Sequence, residues 1–301
     1  MRIFKPFVIF FLFGNFLCHA QYTETINSNR PGNSQGAFSV GTGVLQFEAG
    51  GKFGNDKHDL LQTDTDLWGI DYAIRYGFLF EQLEINLIGS FLDQQTSYQV
   101  GGSSRSYALR NFDSNTLGVK YLVYDPYKNG KERKPNLYSW KANQRFDWNT
   151  LIPAVSLYAG ANFAFGDNPF LYEGEAKFSP RAAIVSQNNW GPSVLVINLI
   201  ADKIGQDYPT YSGIVTFTHS LNTKFAIFGE FQEIISDIYS DEIARAGMAY
   251  LFSKNFQADV SGLINFKDTP SRWQVAAGVS YRLDFHSQDE YLERADEDVK
   301  N

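Results

Sequence analysis

The chain has 301 residues, with 33 acidic and 26 basic side chains, and therefore a net charge of −7. This excess of acid argues against nucleic acid as a partner, because binding to phosphates needs a basic surface. After residue 20, no stretch approaches the roughly 20 consecutive apolar residues of a membrane-spanning helix, which excludes a polytopic helical membrane protein.

Residues 1–20 are predicted to be a cleaved secretory signal. Basic residues precede an apolar run from Phe7 to Phe13, and the small residue Ala20 ends the segment. Such signals share this order of basic, apolar and cleavage regions. Cys18 would alternatively be a lipoprotein cysteine, but the residues before it are not small. Cleavage after Ala20 would remove the one cysteine of the chain, and with it any disulfide, thiolate metal site or cysteine nucleophile.

Residues 43–285 are predicted to form twelve β-strands. Apolar and polar residues alternate repeatedly over ten or so positions, and a period of two places each parity on one face of a strand. Between Trp68 and Phe78, for example, the apolar residues share one parity, while Asp71 and Arg75 share the other. The runs are 43–54, 65–79, 83–96, 114–124, 153–166, 177–188, 193–204, 210–220, 224–235, 242–253, 255–267 and 271–285.

These runs are typical of an outer-membrane β-barrel. Its strands of about 9–11 residues have one apolar face with aromatic residues near the ends, and the sheet must close because lipid offers no hydrogen-bond partners. A soluble β-sandwich is disfavoured, since its strands usually have roughly five to six residues. Short connections such as 81–82 alternate with long ones such as 97–113, as periplasmic turns and outer loops would. We therefore predict an all-β antiparallel barrel of about twelve strands, with both termini periplasmic, in the outer membrane of a Gram-negative bacterium.

Three segments are assigned to the periplasmic side. Residues 21–42 precede the first strand, residues 125–152 form a Lys/Arg/Pro-rich link, and residues 286–301 form an acidic tail. The simpler interpretation of the tail is a solvated segment; docking of a partner by the tail or the link is the alternative.

The last strand carries a predicted closing signal. Large apolar or aromatic residues, Tyr281, Leu283 and Phe285, follow Gly278 at alternate positions. This pattern resembles the signal that barrel-assembly machinery reads in outer-membrane barrels. The machinery is therefore a predicted partner of the chain, together with outer-membrane lipid.

On the polar face of neighbouring strands, charged residues of opposite sign are predicted to lie at the same height in the barrel. Directly opposed side chains of antiparallel strands are close enough to pair. We predict five lumen ion pairs: Glu48–Arg75, Lys52–Asp71, Glu84–Lys120, Glu230–Arg245 and Asp259–Arg282. Two interpretations stay open, because the pairs either pack and stiffen the lumen or line a narrow polar conduit.

The sequence predicts neither an enzyme nor a cofactor or metal site. Beyond residues 1–20 the histidines are His58, His219 and His286, and His219 points away from its neighbour Ser220 on a strand. No spacing of His, Asp and Glu indicates a metal site. Residues 41–43 resemble a glycine-rich loop but open a strand rather than a helix, which excludes a phosphate loop. A Ser or Asp within reach of His58 or His219 would reopen the question.

The residues before and within the first strand resemble a known family. Asn29-Arg30-Pro31-Gly32, followed by Gly43-Val44-Leu45-Gln46-Phe47-Glu48-Ala49-Gly50, resembles the N-terminal signature of outer-membrane proteins grouped as the "MetA-pathway of phenol degradation" family, many of them called transporters. Their usual Thr-Asp before Arg-Pro is replaced here by Ser28-Asn29. The resemblance implies an outer-membrane β-barrel that moves small solutes, aromatic or apolar compounds among them.

The Asn29–Gly32 motif is expected at the periplasmic mouth, where Arg30 would pair with a lumen acid such as Glu48 or Glu84. Two arrangements stay open: a plug at the periplasmic side of the lumen, and a strap outside the barrel. The predicted function is a channel or transporter for small solutes. The alternatives are a structural barrel that partners an envelope or secretion assembly, and an outer-leaflet lipid enzyme.

Overall fold

The computed structural model is a closed antiparallel barrel of twelve strands, in which each strand pairs with its sequence neighbours and β12 pairs with β1. The predicted fold class is confirmed. The strands are β1 (Val44–His58), β2 (Thr63–Gly77), β3 (Leu83–Val100), β4 (Ser103–Tyr124), β5 (Ala154–Phe163), β6 (Phe178–Trp190), β7 (Ser193–Asp202), β8 (Thr210–Ser220), β9 (Phe225–Ser236), β10 (Asp241–Ser253), β11 (Phe256–Asn265) and β12 (Ser271–Asp284).

The structure describes residues 25–128 and 148–285. The predicted signal (1–20), the acidic tail (286–301) and residues 129–147 of the link therefore lie outside the described residues. A short 3-10 helix, Trp148–Leu151, precedes β5. Within the described ranges, no helix is long and apolar enough to cross a membrane.

Alternation along the strands places apolar side chains on the outside of the barrel. On β12, Trp273 and Val275 are 43% and 50% exposed, whereas Ser280 and Arg282 are buried in the lumen. Outside the distal parts of β3 and β4, the same period of two recurs along the strands and gives a barrel that is apolar outside and polar inside. A surface of this kind suits lipid rather than water.

Two aromatic belts bound the apolar surface. Phe53, Trp68 and Trp273 face outward on three adjacent strands near one end, and Tyr76 and Tyr281 face outward near the other. On β2, Tyr76 follows Trp68 by eight residues (76 − 68), or about 26 Å along the strand at 3.3 Å per residue. Because barrel strands are tilted by roughly 35–45°, this separation corresponds to about 20 Å across the membrane, somewhat less than the apolar band of about 25 Å in outer-membrane barrels.

The two ends of the barrel differ in their connections. The terminal end carries Val44 and Asp284, where the barrel begins and closes, together with four short hairpin turns and the long link between β4 and β5. The distal end carries the remaining hairpins, including the connection 164–177 between β5 and β6. Assignment of the terminal end to the periplasm stays a prediction.

The connection 97–113 was expected to be a long loop, and this expectation is wrong. β3 and β4 continue through it and are joined by Gly101 and Gly102 alone. β5 pairs with β4 only from Thr116 onward, so residues 103–115 of β4 extend beyond the neighbouring wall. We call residues 92–111 the tall hairpin. Most of its side chains are polar, and the hairpin projects past the distal aromatic belt.

Candidate functional site

The lumen contains part of the chain itself. Residues 26–41, here called the inner segment, precede β1 and lie inside the barrel. The segment begins beside the β10–β11 turn, where the Ile26 amide donates to the Lys254 carbonyl at 2.8 Å, and it ends beside β2, where the Gly43 amide donates to the Gly77 carbonyl at 2.9 Å. Of the two arrangements left open by the sequence, the structure has the plug and not the external strap.

The barrel wall holds the inner segment through polar side chains. In the described part of the chain, every strand except β10 contributes at least one. Most of them bind backbone groups, because the segment has no regular structure and its amides and carbonyls need partners. The wall residues are Gln46, Glu48, Arg75, Glu84, Lys120, Ser156, Gln187, Asn198, Thr216, Glu230, Gln232, Gln257, Asp259 and Ser280.

Arg30 is fixed across a window of two glycines. Its Nε and Nη2 atoms donate to the two carboxylate oxygens of Asp259 at 3.2 and 3.0 Å. Gly50 on β1 and Gly278 on β12 are directly paired, and a Cβ on either residue would overlap the Arg30 guanidinium. Because neither glycine has a side chain, there is room for the arginine between these two strands.

Glu230 binds the middle of the inner segment. Its carboxylate accepts hydrogen bonds from the amides of Asn33 (2.9 Å) and Ser34 (3.2 Å) and from the Thr216 hydroxyl (2.7 Å). Arg245 donates to the same carboxylate at 2.9 Å. Because this carboxylate is fully buried, the four donors compensate for the water that it has lost.

A second charged cluster lies under the C-terminal half of the segment. Arg75 joins Glu48 at 3.0 Å and Glu84 at 2.9 Å, and Lys120 lies 3.3 Å from Glu84. Lys120 also donates to the carbonyls of Gly36 and Phe38, at 2.8 and 3.1 Å. Two acids and two bases thus neutralise each other and still bind the segment.

One stretch of the segment is anchored by apolar contacts. Ala37 is fully buried in a cluster with Leu122, Ala154, Val185 and Val196, and Phe38 packs against it. Ala37 and Phe38 also bind the wall through hydrogen bonds. Residues 37–38 therefore have an apolar anchor in addition to hydrogen bonds, whereas the polar stretch at 27–35 is held by hydrogen bonds and ion pairs.

A cavity of 360 Å³ lies on the distal side of the inner segment. Residues of the segment, including Arg30 and Pro31, form its floor, and the strand walls surround it. At about 30 Å³ per water molecule, the volume corresponds to roughly a dozen waters, and it lies in the range of small-molecule sites. The Lys52–Asp71 pair, with nitrogen and oxygen 2.6 Å apart, lies on its wall.

Farther toward the distal end, a cluster of buried polar groups closes one side of the rim. Arg272 donates to both carboxylate oxygens of Asp56, at 2.8 and 2.7 Å, and lies 3.8 Å from Asp241. Tyr239, in the loop before β10, donates to Asp241. Burial, together with this carboxylate, raises the pKa of the Tyr239 hydroxyl. The hydroxyl therefore stays protonated and available as a donor.

The structure brings together four of the five predicted charge pairs. Glu84–Lys120 and Glu230–Arg245 are directly opposed on adjacent strands. Glu48–Arg75 and Lys52–Asp71 form ion pairs on a diagonal, because Glu48 is opposed by Ala73 and Lys52 by Gly69.

The Asp259–Arg282 pair is wrong. Asp259 is opposed by Gly278 and binds Arg30. Arg282 lies farther along β12, where it donates to the Asn255 side chain at 2.9 Å and lies 3.7 Å from Asp284. The prediction counted positions from the strand ends, whereas the strands of a barrel are tilted and staggered.

The Asn29–Gly32 motif lies deeper than expected. It was assigned to the mouth of the barrel, but Arg30 and Gly32 lie within the lumen against Gly50, Gly278 and Glu230. The polar contacts of Arg30 and of the residues that follow it draw the motif inward. On β12, Gly278 faces the lumen, Tyr281 faces outward and Phe285 follows the strand with 65% exposure. Recognition of this stretch by the assembly machinery stays a prediction.

Most of the uncharged wall residues that bind the segment were not predicted from the sequence. Gln187, Asn198 and Thr216 are 7%, 1% and 5% exposed. They stand on the polar parity of β6, β7 and β8, and buried polar side chains need partners. Their presence on the inward-facing side of three neighbouring strands was the available signal that something polar occupies the lumen.

A serine and a histidine do meet on the outside of the barrel. Ser193 on β7 and His219 on β8 are directly opposed, with Oγ and Nδ1 2.9 Å apart. Both stand on the outward parity at the terminal end. Among the described residues, no acid binds the other ring nitrogen, whereas a catalytic dyad of this type needs a third group that orients the histidine. The pair is a cross-strand hydrogen bond.

The chain matches one protein family over most of its length. The family is described as "Putative MetA-pathway of phenol degradation", and its model matches residues 28–283. The chain belongs to this family. The matched range includes the inner segment from Ser28 as well as all twelve strands except the last residue of β12. No curated protein sequence matches the chain.

Solved structures with a similar fold are outer-membrane barrels. The COG4313 outer membrane channel from Pseudomonas putida F1 has 9% identity and a TM-score of 0.51, over 86% of this chain and 100% of that one. The Pseudomonas putida toluene transporter TodX has 10% identity and a TM-score of 0.45, over 82% and 91%. The translocator domain of autotransporter NalP from Neisseria meningitidis has 10% identity and a TM-score of 0.46, over 81% and 89%. The likeness to the COG4313 channel shows the fold, which is that of an outer-membrane β-barrel.

Proposed function

We propose that this protein is an outer-membrane channel for small solutes, aromatic or apolar compounds among them, and that the inner segment is its movable constriction. The closed barrel, the two aromatic belts and the family membership support the membrane location. The cavity of 360 Å³ supports a solute pathway on the distal side of the constriction. In this proposal the terminal end faces the periplasm, the signal is cleaved after Ala20, and the closing signal on β12 is read by barrel-assembly machinery.

The observation that carries the proposal is the difference between the two stretches of the inner segment. Residues 27–35 are held by hydrogen bonds and ion pairs, whereas Ala37 and Phe38 are anchored in an apolar cluster. When the stretch is released, water replaces each hydrogen bond, so the net contribution is only about 0.5–1.5 kcal/mol for a neutral bond and about 1.5–3 kcal/mol for a bond to a charged group. The polar stretch can therefore detach while the apolar anchor keeps the segment in the barrel.

The family description supports the choice of solute. It refers to phenol degradation, and the printed name of the COG4313 protein describes an outer membrane channel. For this chain the corresponding proposal is uptake of small organic molecules. A lumen in which most charges are paired offers such molecules a polar but nearly neutral path.

The proposal is tested by locking the inner segment to the wall. The hydroxyls of Ser28 and Ser280 are 2.7 Å apart, so the double variant Ser28→Cys/Ser280→Cys brings two sulfurs close to the roughly 2.05 Å of a disulfide. Residues 21–301 lack the one native cysteine, Cys18. We expect discrete conductance steps in planar bilayers from the reduced form, and smaller or absent steps after oxidation. Reduction should restore them.

The two single-cysteine variants are the matched controls, because each carries a thiol but cannot form the intramolecular bridge. Equal conductance of the oxidised and reduced double variant would show that the segment is not the moving part. A barrel that is silent in every form would favour the second candidate, a structural barrel that partners an envelope assembly. The dense binding of the inner segment to the wall supports that candidate.

A further inference from the structure

The charges around the lumen cavity are almost completely compensated. Four ion pairs include a base that lines the cavity: Arg30–Asp259, Lys52–Asp71, Arg181–Asp202 and Arg245–Glu230. Glu48, also on the lining, belongs to the neutral cluster of Glu48, Arg75, Glu84 and Lys120. These groups leave no net charge on the cavity.

Asp113 is the exception. It lines the cavity and its side chain is open to it. Within residues 25–128 and 148–285, no base lies within ion-pair distance of its carboxylate and no donor forms a hydrogen bond with it. Asp113 is therefore the one cavity carboxylate among the described residues without a direct partner, and the positive charges of Lys52, Lys203 and Arg272 act on it only from a greater distance.

A β-bulge directs this carboxylate into the lumen. Ser90 pairs with Ser114, and the next residue, Phe91, pairs with Phe112, so Asp113 is an extra residue on β4. The bulge keeps Phe112 on the outside, where its ring lies 5.4 Å from that of Phe91. It also allows Asp113 and Ser114 to line the cavity together. Bulges often re-aim a side chain beside a functional site.

The same cavity has apolar surface within reach. Ile88, Leu263 and Ala276 lie on its walls and Pro31 on its floor. A small ring or alkyl group can contact these side chains while a polar group binds the carboxylate. Sites for small molecules commonly combine an apolar lining with a few well-placed polar groups.

We propose that Asp113 is the recognition group of a solute site in the lumen cavity, and that the site takes small amphipathic molecules that present a hydrogen-bond donor to its carboxylate. A primary ammonium is the best donor, because it adds opposite charge. A hydroxyl is next, and a carboxylate is repelled. This inference rests on the proposed channel function, since it names the class of solute that stops at the constriction.

The test uses three molecules that share one ring: benzylammonium, benzyl alcohol and benzoate. Their binding to refolded residues 21–301 in detergent micelles is measured by isothermal titration calorimetry. We expect affinity to fall in that order for the wild type. In Asp113→Asn, binding of benzylammonium should weaken by about fivefold, as expected for one solvent-accessible ion pair, and benzoate should bind no worse than before.

Glu233→Gln is the matched control. Glu233 faces outward on β9 between the exposed residues Phe231 and Ile235, so its substitution removes the same charge from outside the lumen. It should keep the wild-type order of affinities. Folding of each variant is checked by the heat-dependent gel shift of the barrel.

Unchanged binding of benzylammonium by folded Asp113→Asn would overturn the inference. Tighter binding of benzoate than of benzylammonium by the wild type would also overturn it. This wild-type comparison tests the inference even if Asp113→Asn does not fold. Binding is measured without current. A barrel that binds in the expected order but conducts in no form would therefore remove the channel proposal and leave the solute site standing.

Discussion

The two halves of the lumen are built from similar residues but organised differently. In the terminal half, carboxylates such as Glu230 are completely buried and bind several donors of the inner segment. In the distal half, Asp71 is 38% exposed beside a cavity, and Asp113 has an open side chain. The first half is assembled like a protein core made of polar groups, whereas the second is assembled like a binding site. The inward-facing polar residues thus have two roles. They bind the inner segment where it fills the lumen, and they line a cavity where it does not.

Glu230→Ala should give the largest effect, a loss of about 3–5 kcal/mol, because it leaves the partly buried Arg245 and the amides of Asn33 and Ser34 without their carboxylate. Urea unfolding of the refolded barrel in lipid vesicles measures this change. Asp113→Asn removes an acid from the distal half and should cost less than about 1 kcal/mol. Equal losses for the two variants would abolish the distinction between the halves.

Gly50→Ala tests the window that seats Arg30. The added Cβ would overlap the guanidinium, so we expect a loss of about 1–3 kcal/mol from overpacking, together with larger conductance steps as the polar stretch detaches. Gly51→Ala is the control on the next residue. No atom lies within 4 Å of a Cβ placed there, and the change should stay within about 0.5 kcal/mol. The interpretation fails if the two alanines behave alike.

The double variant Lys52→Ala/Asp71→Ala tests whether the distal half of the lumen behaves as an open cavity. Both partners are removed, so no charge is left unpaired. The unfolding free energy should change by less than about 1 kcal/mol, because the pair is partly exposed to the cavity. The conductance steps should nevertheless grow, since the cavity widens above the constriction. Unaltered steps would mean that this pair does not border the solute path.

Lys57→Ala should have the smallest effect. Lys57 and Asp59 are 63% and 68% exposed and their charged atoms are 3.7 Å apart, so water and salt screen the pair. We expect less than about 0.5 kcal/mol in urea unfolding and conductance equal to that of the wild type. A larger change would show that the outer hairpin contributes to the lumen.

The sequence predicted the fold well because alternation reports which face a side chain occupies. Alternation does not report the height of that side chain along the barrel, which depends on the register between strands. Shifting a strand by two residues leaves every side chain on its face, and this is the error at Glu48, which was placed opposite Arg75 but is opposed by Ala73. Long side chains still formed the pair, because diagonal neighbours on adjacent strands are within their reach.

Two regions had no pattern that could reveal them. Gln94 to Ser97 are polar on both faces, so the tall hairpin has no period of two and resembles a loop. The inner segment has no periodicity at all, because its shape is imposed by side chains from the surrounding strands. Its position depends on contacts such as that between Asn33 and Glu230, which are 197 residues apart in the sequence.

The tall hairpin ends in two glycines with positive φ angles, 58° at Gly101 and 80° at Gly102, and a Cβ placed on either would meet no atom within 4 Å. A tip of this kind tolerates an inserted epitope tag, because the tag would extend into solvent beyond the wall of the barrel. Antibody staining of intact cells that carry the tag would then report directly on which side of the membrane the hairpin stands. The projection of β3 and β4 thereby gives the whole barrel a marker for its orientation in living cells.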